Sequence, residues 1–362
     1  MKRLFEPVEL ASGPVIKNRF VLAPLTNTQC GDDGCLSDDE FDWLVGRARG
    51  GFGLVVTAAA HVQPQGQGFP GQPGIFSDGH LEGLSRLAAG LRAEGSLGLV
   101  QLHHAGMRSP ARLIGTQPVC PSDNPKTEAR ALTRGEVEQL AEDFITAGVR
   151  ADRAGFDGVE IHGAHGYVIA QFLSAEVNQR ADRYGGLLEN RARLLFDIVA
   201  GIRARCRADF ILAVRLSPER FGQKLGEIRT VAQRLMSDGM IDLLDMSLWD
   251  VFKEPHEEEF QGRTLLAHFA DVDRGAVLLG VAGQIRSGRD AARCLKAGAD
   301  LAIVGRAAIL HHDFPERVAA DAGFEAAALP VTEGYLRGEG IGEAFIRYLK
   351  DNWKGFVDAG SA

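Results

Sequence analysis

Cysteine is scarce in this chain. The five present, Cys30, Cys35, Cys120, Cys206 and Cys294, are odd in number and scattered. They do not read as a disulfide framework, which fits a reducing cytoplasm. Long apolar runs are missing as well; none approaches the ~18 residues of a membrane-spanning helix. The opening stretch from Met1 to Leu10 has neither the apolar stretch nor the cleavage pattern of a secretory signal. Positive charge is not in excess: 40 basic against 48 acidic residues leave a net charge of −8, which argues against a nucleic-acid footprint. No low-complexity linker interrupts the sequence. What is present is a 45% hydrophobic chain of 362 residues, which excludes a disordered protein. Length alone suggests two domains, although one α/β barrel of this size is routine.

Eight short apolar runs alternate with segments of helical spacing. The runs start at Phe20, Gly53, Leu97, Gly158, Phe210, Ile241, Ala276 and Ala299. Each is apolar on both faces, as a parallel strand buried on both sides must be. Between them stand helix starts: Ser37 three residues before Glu40, Thr133 three before Glu136, and Ser287 opening a segment that stops at Gly298. Leu194, Leu195, Ile198 and Ile202 mark a further helix within Glu189 to Arg205. Eight strand–helix units with right-handed crossovers predict an α/β protein, a single (β/α)₈ TIM barrel. A doubly wound sheet with a second domain is the alternative. The whole of 1–362 is expected to form one domain, with the barrel at about 19–315. Residues 316–362 should form a helical extension on the barrel or on a partner subunit, its apolar face ending in Phe345, Tyr348, Leu349, Trp353 and Phe356.

In such a barrel the chemistry sits where strands run into the following loops. Here those ends are polar. They carry Pro24-Leu25-Thr26, Gln101, His103 and His104, His162, His165 and Tyr167, Arg215, Gly283-Gln284, and Gly305-Arg306. Arg215 lies among Val214 and Leu216, where a guanidinium is costly without a partner. It is either a structural ion pair or a fixed cation facing an anion or an electron-rich ring. Gly283, Gly305 and Arg306 suit a phosphate cradle, in which bare backbone N–H groups and a bidentate guanidinium converge. The densest group is His162, His165 and Tyr167. It reads three ways: loop hydrogen bonding, metal ligation completed by His103 or His104, or two imidazole donors on a substrate oxygen with a tyrosine as proton donor.

Taken together these residues resemble the old yellow enzyme family of FMN-dependent ene-reductases, from about Leu4 to about Pro315. The resemblance is carried by Ala23-Pro24-Leu25-Thr26 and by Gln101-Leu102-His103-His104-Ala105-Gly106. It is strongest in Gly158-Val159-Glu160-Ile161-His162-Gly163-Ala164-His165-Gly166-Tyr167 and in Asn178 to Arg191. It implies FMN as cofactor, with NADPH or NADH as transient reductant. Thr26 would bond the flavin O4, and Gln101 its pyrimidine edge. Arg215 would sit near N1, while Pro24, Leu25 and Ala59 line the ring. Gly283, Gly305 and Arg306 would hold the phosphate. His162 and His165 would grip the electron-withdrawing oxygen of an α,β-unsaturated carbonyl or nitro compound, and Tyr167 would supply the proton. Met107 departs from the pattern, standing where arginine is usual. No closely spaced cysteine cluster follows the eighth strand, so no iron–sulfur cluster or further nucleotide-binding domain is expected. No dinucleotide fingerprint appears, so the nicotinamide should use the same mouth.

The resemblance also admits nitro or nitrate-ester reduction and amine oxidation or demethylation, although the His pair favours alkene or nitro reduction. A metal-dependent hydrolase built on His103, His162 and His165, and a protein that merely keeps flavin as a ligand, are the remaining alternatives. The expected partner is a small molecule, in the cytoplasm, with no nucleic acid, membrane or resident metal; the subunit count stays open. The acidic loop from Trp249 to Glu259 is either a solvated loop or a lid, and Cys30 and Cys35 in the first loop are expected to be incidental.

Overall fold

The structure is a computed structural model that describes residues 1–358; the last four residues of the expected extension, 359–362, lie outside the described residues. Eight parallel strands close on themselves. They are β1 (Phe20–Leu22), β2 (Leu54–Val56), β3 (Leu97–His103), β4 (Gly158–Gly163), β5 (Ile211–Leu216), β6 (Leu243–Ser247), β7 (Leu278–Ala282) and β8 (Leu301–Val304). Each pairs with its sequence neighbour, and β8 pairs with β1 (Ala302 beside Phe20), which seals the barrel. This is the (β/α)₈ architecture that the alternating pattern predicts. The run from Gly53 to Ala60 is shorter as a strand than it reads. The barrel strand ends at Val56, and Ala60–His61 pair separately with the end of β3.

Alternation along each strand explains the double-sided burial. Val21, Leu54, Leu99, Ile211, Leu243 and Leu301 point inward and form a closed inner layer. Phe20, Val55, Val100, Val159, Leu212 and Leu279 point outward beneath the helices. Burying side chains of this size is worth about 1.5–3 kcal/mol each, so both faces drive closure. The predicted caps are formed. Ser37 accepts from Glu40 N at the start of α1 (Asp38–Arg49), and Thr133 makes a reciprocal capping box with Glu136 at the next long helix, Arg134–Arg153. Ser287 likewise caps Gly288–Lys296.

The extension is three short helices, Phe314–Ala320, Glu333–Gly338 and Glu343–Asn352, rather than one. Phe345 packs edge-on against Trp43 of α1 with ring centroids 5.2 Å apart. Arg47, fully buried, donates to the carbonyls of Ala308 and Glu339 and stacks on Trp43. The extension is therefore fastened across the β1 and β8 side of the barrel, and its Trp353 reaches the C-terminal mouth. No helix among the described residues is long and apolar enough to cross a membrane.

Candidate active site

Above the apolar inner layer the inward positions turn polar. Strand register sets Gln101 beside Glu160, and Arg215 between His162 and Asp245. Over them opens a cleft of about 230 Å³. It is lined by Pro24, Leu25, His165, Arg215, Gly283, Gly305 and Arg306, all singled out in the sequence. Ser247, Trp249, Arg286 and Trp353 also stand on the wall. Thr26, Ala59, Gln101, His162 and Tyr167 are not on this wall. Gln101 lies deeper, where its amide donates to Glu160 Oε1 at 2.7 Å. The Ala59 carbonyl accepts from Gln72.

Arg215 is almost wholly buried. Its Nε is 3.2 Å from Asp245 Oδ2, but the two are not aligned for a hydrogen bond. Glu160 Oε2 and both Asp245 oxygens are likewise buried without hydrogen bonds. Burial, and then the facing Asp245 charge, push Glu160 up to about 8; burial also raises Asp245, against the pull of Arg215. At neutral pH the Glu160 carboxyl is therefore protonated, and the two acids together carry less than two negative charges. The guanidinium then faces one carboxylate, Asp245, rather than two. Arg215 thus has the ion-pair partner of one sequence reading, and it also lines the cleft.

His162, His165 and Tyr167 form one contiguous group at the end of β4. Ring centroids are 5.1 Å apart for His162–His165 and 5.0 Å for His162–Tyr167, both near-perpendicular. His162 Nδ1 accepts from Ala164 N, so its hydrogen sits on Nε2. His165 is held by Ser247 Oγ at 2.7 Å, and its backbone N–H by Ser217 Oγ. Burial, reinforced by the nearby cations, keeps both imidazoles neutral: His162 is well below its usual range, and His165 is lowered to about 3. They can therefore donate hydrogen bonds but not carry charge. Burial raises the Tyr167 hydroxyl above its usual range, so the phenol stays protonated at neutral pH. Among the described residues the only trio of side chains close enough to share a metal ion is His312, Asp313 and Glu339, remote from this mouth. His103, His162 and His165 do not converge in that way.

The site fits a flavin mononucleotide. Arg215 supplies a buried cation whose Nε has no hydrogen-bond partner. Gly283 and Gly305 supply bare backbone, and a Cβ on Gly283 would sit 2.7 Å from the Trp249 carbonyl carbon. The guanidinium groups of Arg286 and Arg306 have no carboxylate partner among the described residues, and that of Arg306 lies over the Trp353 ring at 5.4 Å. Trp353, Arg286 and Ser247 were not read from the sequence as site residues. For Arg286 and Ser247 the signal was available: each follows or ends a barrel strand. Trp353 had none, since only the path of the extension brings it there. Glu160 and Asp245 show as acids at inward strand positions between apolar neighbours.

The chain matches the NADH:flavin oxidoreductase / NADH oxidase family over residues 3–323. It is 38% identical over 328 residues to a probable NADH-dependent flavin oxidoreductase of Bacillus subtilis, a match covering 88% of each chain. It is 34% identical to an NADH oxidase of Thermoanaerobacter brockii across 84% of this chain, but spans only 48% of that longer protein. Among solved structures it is similar to the old yellow enzyme homologue from Zymomonas mobilis, with a TM-score of 0.80 and 30% identity over 92% of this chain and 96% of the other. The closed barrel, the cation at its mouth and these likenesses agree: the chain belongs to the NADH:flavin oxidoreductase / NADH oxidase family, the old yellow enzymes, and is an FMN-dependent NAD(P)H oxidoreductase.

Proposed function

We propose that this oxidoreductase reduces the carbon–carbon double bond of α,β-unsaturated carbonyl or nitro compounds, with 1–362 acting as one FMN-binding domain. Bound FMN supplies the hydride. Pro24, Leu25 and Ala59 would line its ring, Thr26 and Gln101 would bond its polar edge, and Arg215 would lie by its most electron-rich side. Gly283, Gly305 and Arg306 would hold the phosphate, with NADPH or NADH using the same mouth.

The observation that carries the reading is the pair of neutral imidazoles beside a protonated tyrosine. Two neutral donors, His162 and His165, suit a carbonyl or nitro oxygen on which negative charge grows. A cationic pair would instead trap an anion in the ground state. Tyr167 then protonates the carbon next to the activating group; an unperturbed phenol has a pKa near ~10, and burial holds this one higher, so it still carries at neutral pH the proton that such a carbanion takes. Nothing in this arrangement requires a metal.

Half-reactions test this. In Tyr167→Phe, reoxidation of reduced enzyme by a neutral enone should fall by roughly 10²–10⁴-fold, the usual worth of a positioned acid. Flavin reduction by nicotinamide should stay near wild type. An equal loss in both half-reactions removes the proton-donor role.

A further inference from the structure

Tyr167 has one charged neighbour in direct contact. The Arg108 guanidinium lies over its ring, 4.7 Å from the centroid, and donates through Nη1 to the His165 carbonyl. The ring edges of His103 and His162 approach the phenol at centroid distances of 4.3 and 5.0 Å. Tyr348, on the last helix, is the one other titratable group whose charge bears on it. No carboxylate pairs with Arg108 among the described residues.

Both neighbouring imidazoles are neutral and of fixed tautomer. Gly68 N–H bonds Gln72 Oε1, which orients that amide. Gln72 Nε2 then donates to His103 Nδ1 at 3.0 Å, leaving the hydrogen on Nε2, where it is buried without an acceptor. Burial lowers His103 well below its usual range, and it adds no charge. When the phenol releases its proton, Arg108 is therefore, among the described residues, the only fixed positive charge touching the oxyanion's ring.

The contact is built in. Gln171 laces the two loops together: its Nε2 donates to the carbonyls of Ala105 and Gly166, and its Oε1 accepts from Met107 N. Gly106, at φ +62°, leaves the room this requires, since a Cβ there would lie 2.3 Å from Gln171 Oε1. Met107 turns away, with its sulfur 3.7 Å from Cys120 Sγ and 3.3 Å from Asn124 Nδ2. The arginine that meets Tyr167 is thus the next residue along.

We propose that Arg108 is the positioning residue of the proton-transfer step and the counter-charge of the Tyr167 phenolate. The inference rests on Tyr167 being the proton donor. In the step the Tyr167 O–H bond breaks, and a C–H bond forms on the substrate carbon, whose electron pair takes the proton. The hydride comes from the enzyme's established reductant. The phenolate left behind is balanced by Arg108 until solvent returns the proton. Arg108 is solvent-exposed, so screening weakens its charge; at this distance it still changes such a step by roughly five- to thirty-fold.

The test uses the FMN-loaded enzyme, Arg108→Met, Arg108→Lys and Tyr167→Phe, and a neutral enone, so that attraction of an anionic substrate plays no part. Arg108→Met should slow enone reoxidation by roughly five- to thirty-fold while flavin reduction stays within about twofold, and Arg108→Lys should recover most of the loss. The chain has only four tyrosines. Ultraviolet tyrosinate titration, with Tyr167→Phe as the blank, therefore reads Tyr167 directly and independently of turnover. Its ionisation should move to higher pH in Arg108→Met and return in Arg108→Lys. The proposal is overturned if Tyr167 titrates unchanged in Arg108→Met, if Lys and Met behave alike, or if both half-reactions slow together. Should Tyr167→Phe itself reoxidise normally, the proton-donor reading fails, and the titration still reports whether Arg108 acts on the phenol.

Discussion

Glu40 offers a measurable link between buried charge and the loop that carries Pro24, Leu25 and Thr26. It sits in the first turn of α1, buried, with Oε2 accepting from Asn27 Nδ2 at 2.5 Å and Gln29 Nε2 at 3.2 Å, and with Oε1 unpartnered. Burial pushes its carboxyl from 4.5 up to about 8, against the pull of those two amides. The folded protein thus keeps a proton that the unfolded chain releases. The contribution to stability is full below pH 4.5 and is lost as pH rises to about 8. At 1.36 kcal/mol per pH unit, that interval is worth up to about 5 kcal/mol. Glu40→Gln keeps the shape and an oxygen for both donors but cannot ionise. With an unfolding entropy of about 2.1 cal/mol/K per residue, a chain of this length loses about 0.76 kcal/mol/K, so the full effect is about 6 °C in Tm. Thermal unfolding followed by circular dichroism between about pH 5 and pH 9 should show Glu40→Gln gaining on wild type as pH rises, by up to this amount. Other titrating groups, Glu160 and Asp245 included, are common to both proteins and cancel in the difference. Parallel Tm curves across the range would refute the assignment of a buried, proton-bearing Glu40.

Gly283 lies at φ +147°, and a Cβ there would meet the backbone of Trp249 and Asp250 at 2.7–3.0 Å. Gly283→Ala should therefore cost about 1–3 kcal/mol in backbone strain alone and weaken FMN at least about tenfold, as read by flavin fluorescence titration. Unchanged affinity would remove Gly283 from the cradle. Arg215→Met should purify pale, with at least about tenfold weaker flavin binding, because the cation proposed to face the ring is removed and the buried Glu160 and Asp245 carboxyls lose the guanidinium that faces them; stoichiometric flavin with an unaltered spectrum would contradict this.

Part of the cleft's lining was legible in the sequence. His162, His165 and Tyr167 lie within six residues, and one strand end suffices to bring them together. Pro24 and Leu25 and the two glycines followed from the rule that loops after strands line the mouth. The Arg108–Tyr167 contact was not legible, because it depends on Gln171 tying two loops and on Met107 turning outward. The helix expected from Glu189 is also broken, with Leu188–Arg191 preceding Arg193–Arg205.

Local chemistry determined the periodicity of the strands, the serine and threonine caps and the polarity of the strand ends, since each depends on neighbours a few residues away. Closure of the barrel decided which of those ends face one another. It set Arg215 against Asp245 and lifted Glu160 beside them, while the path of the extension carried Trp353 to the cleft. Burial and pairing are properties of three-dimensional neighbours, so the charges that govern this site exist only once the barrel has closed.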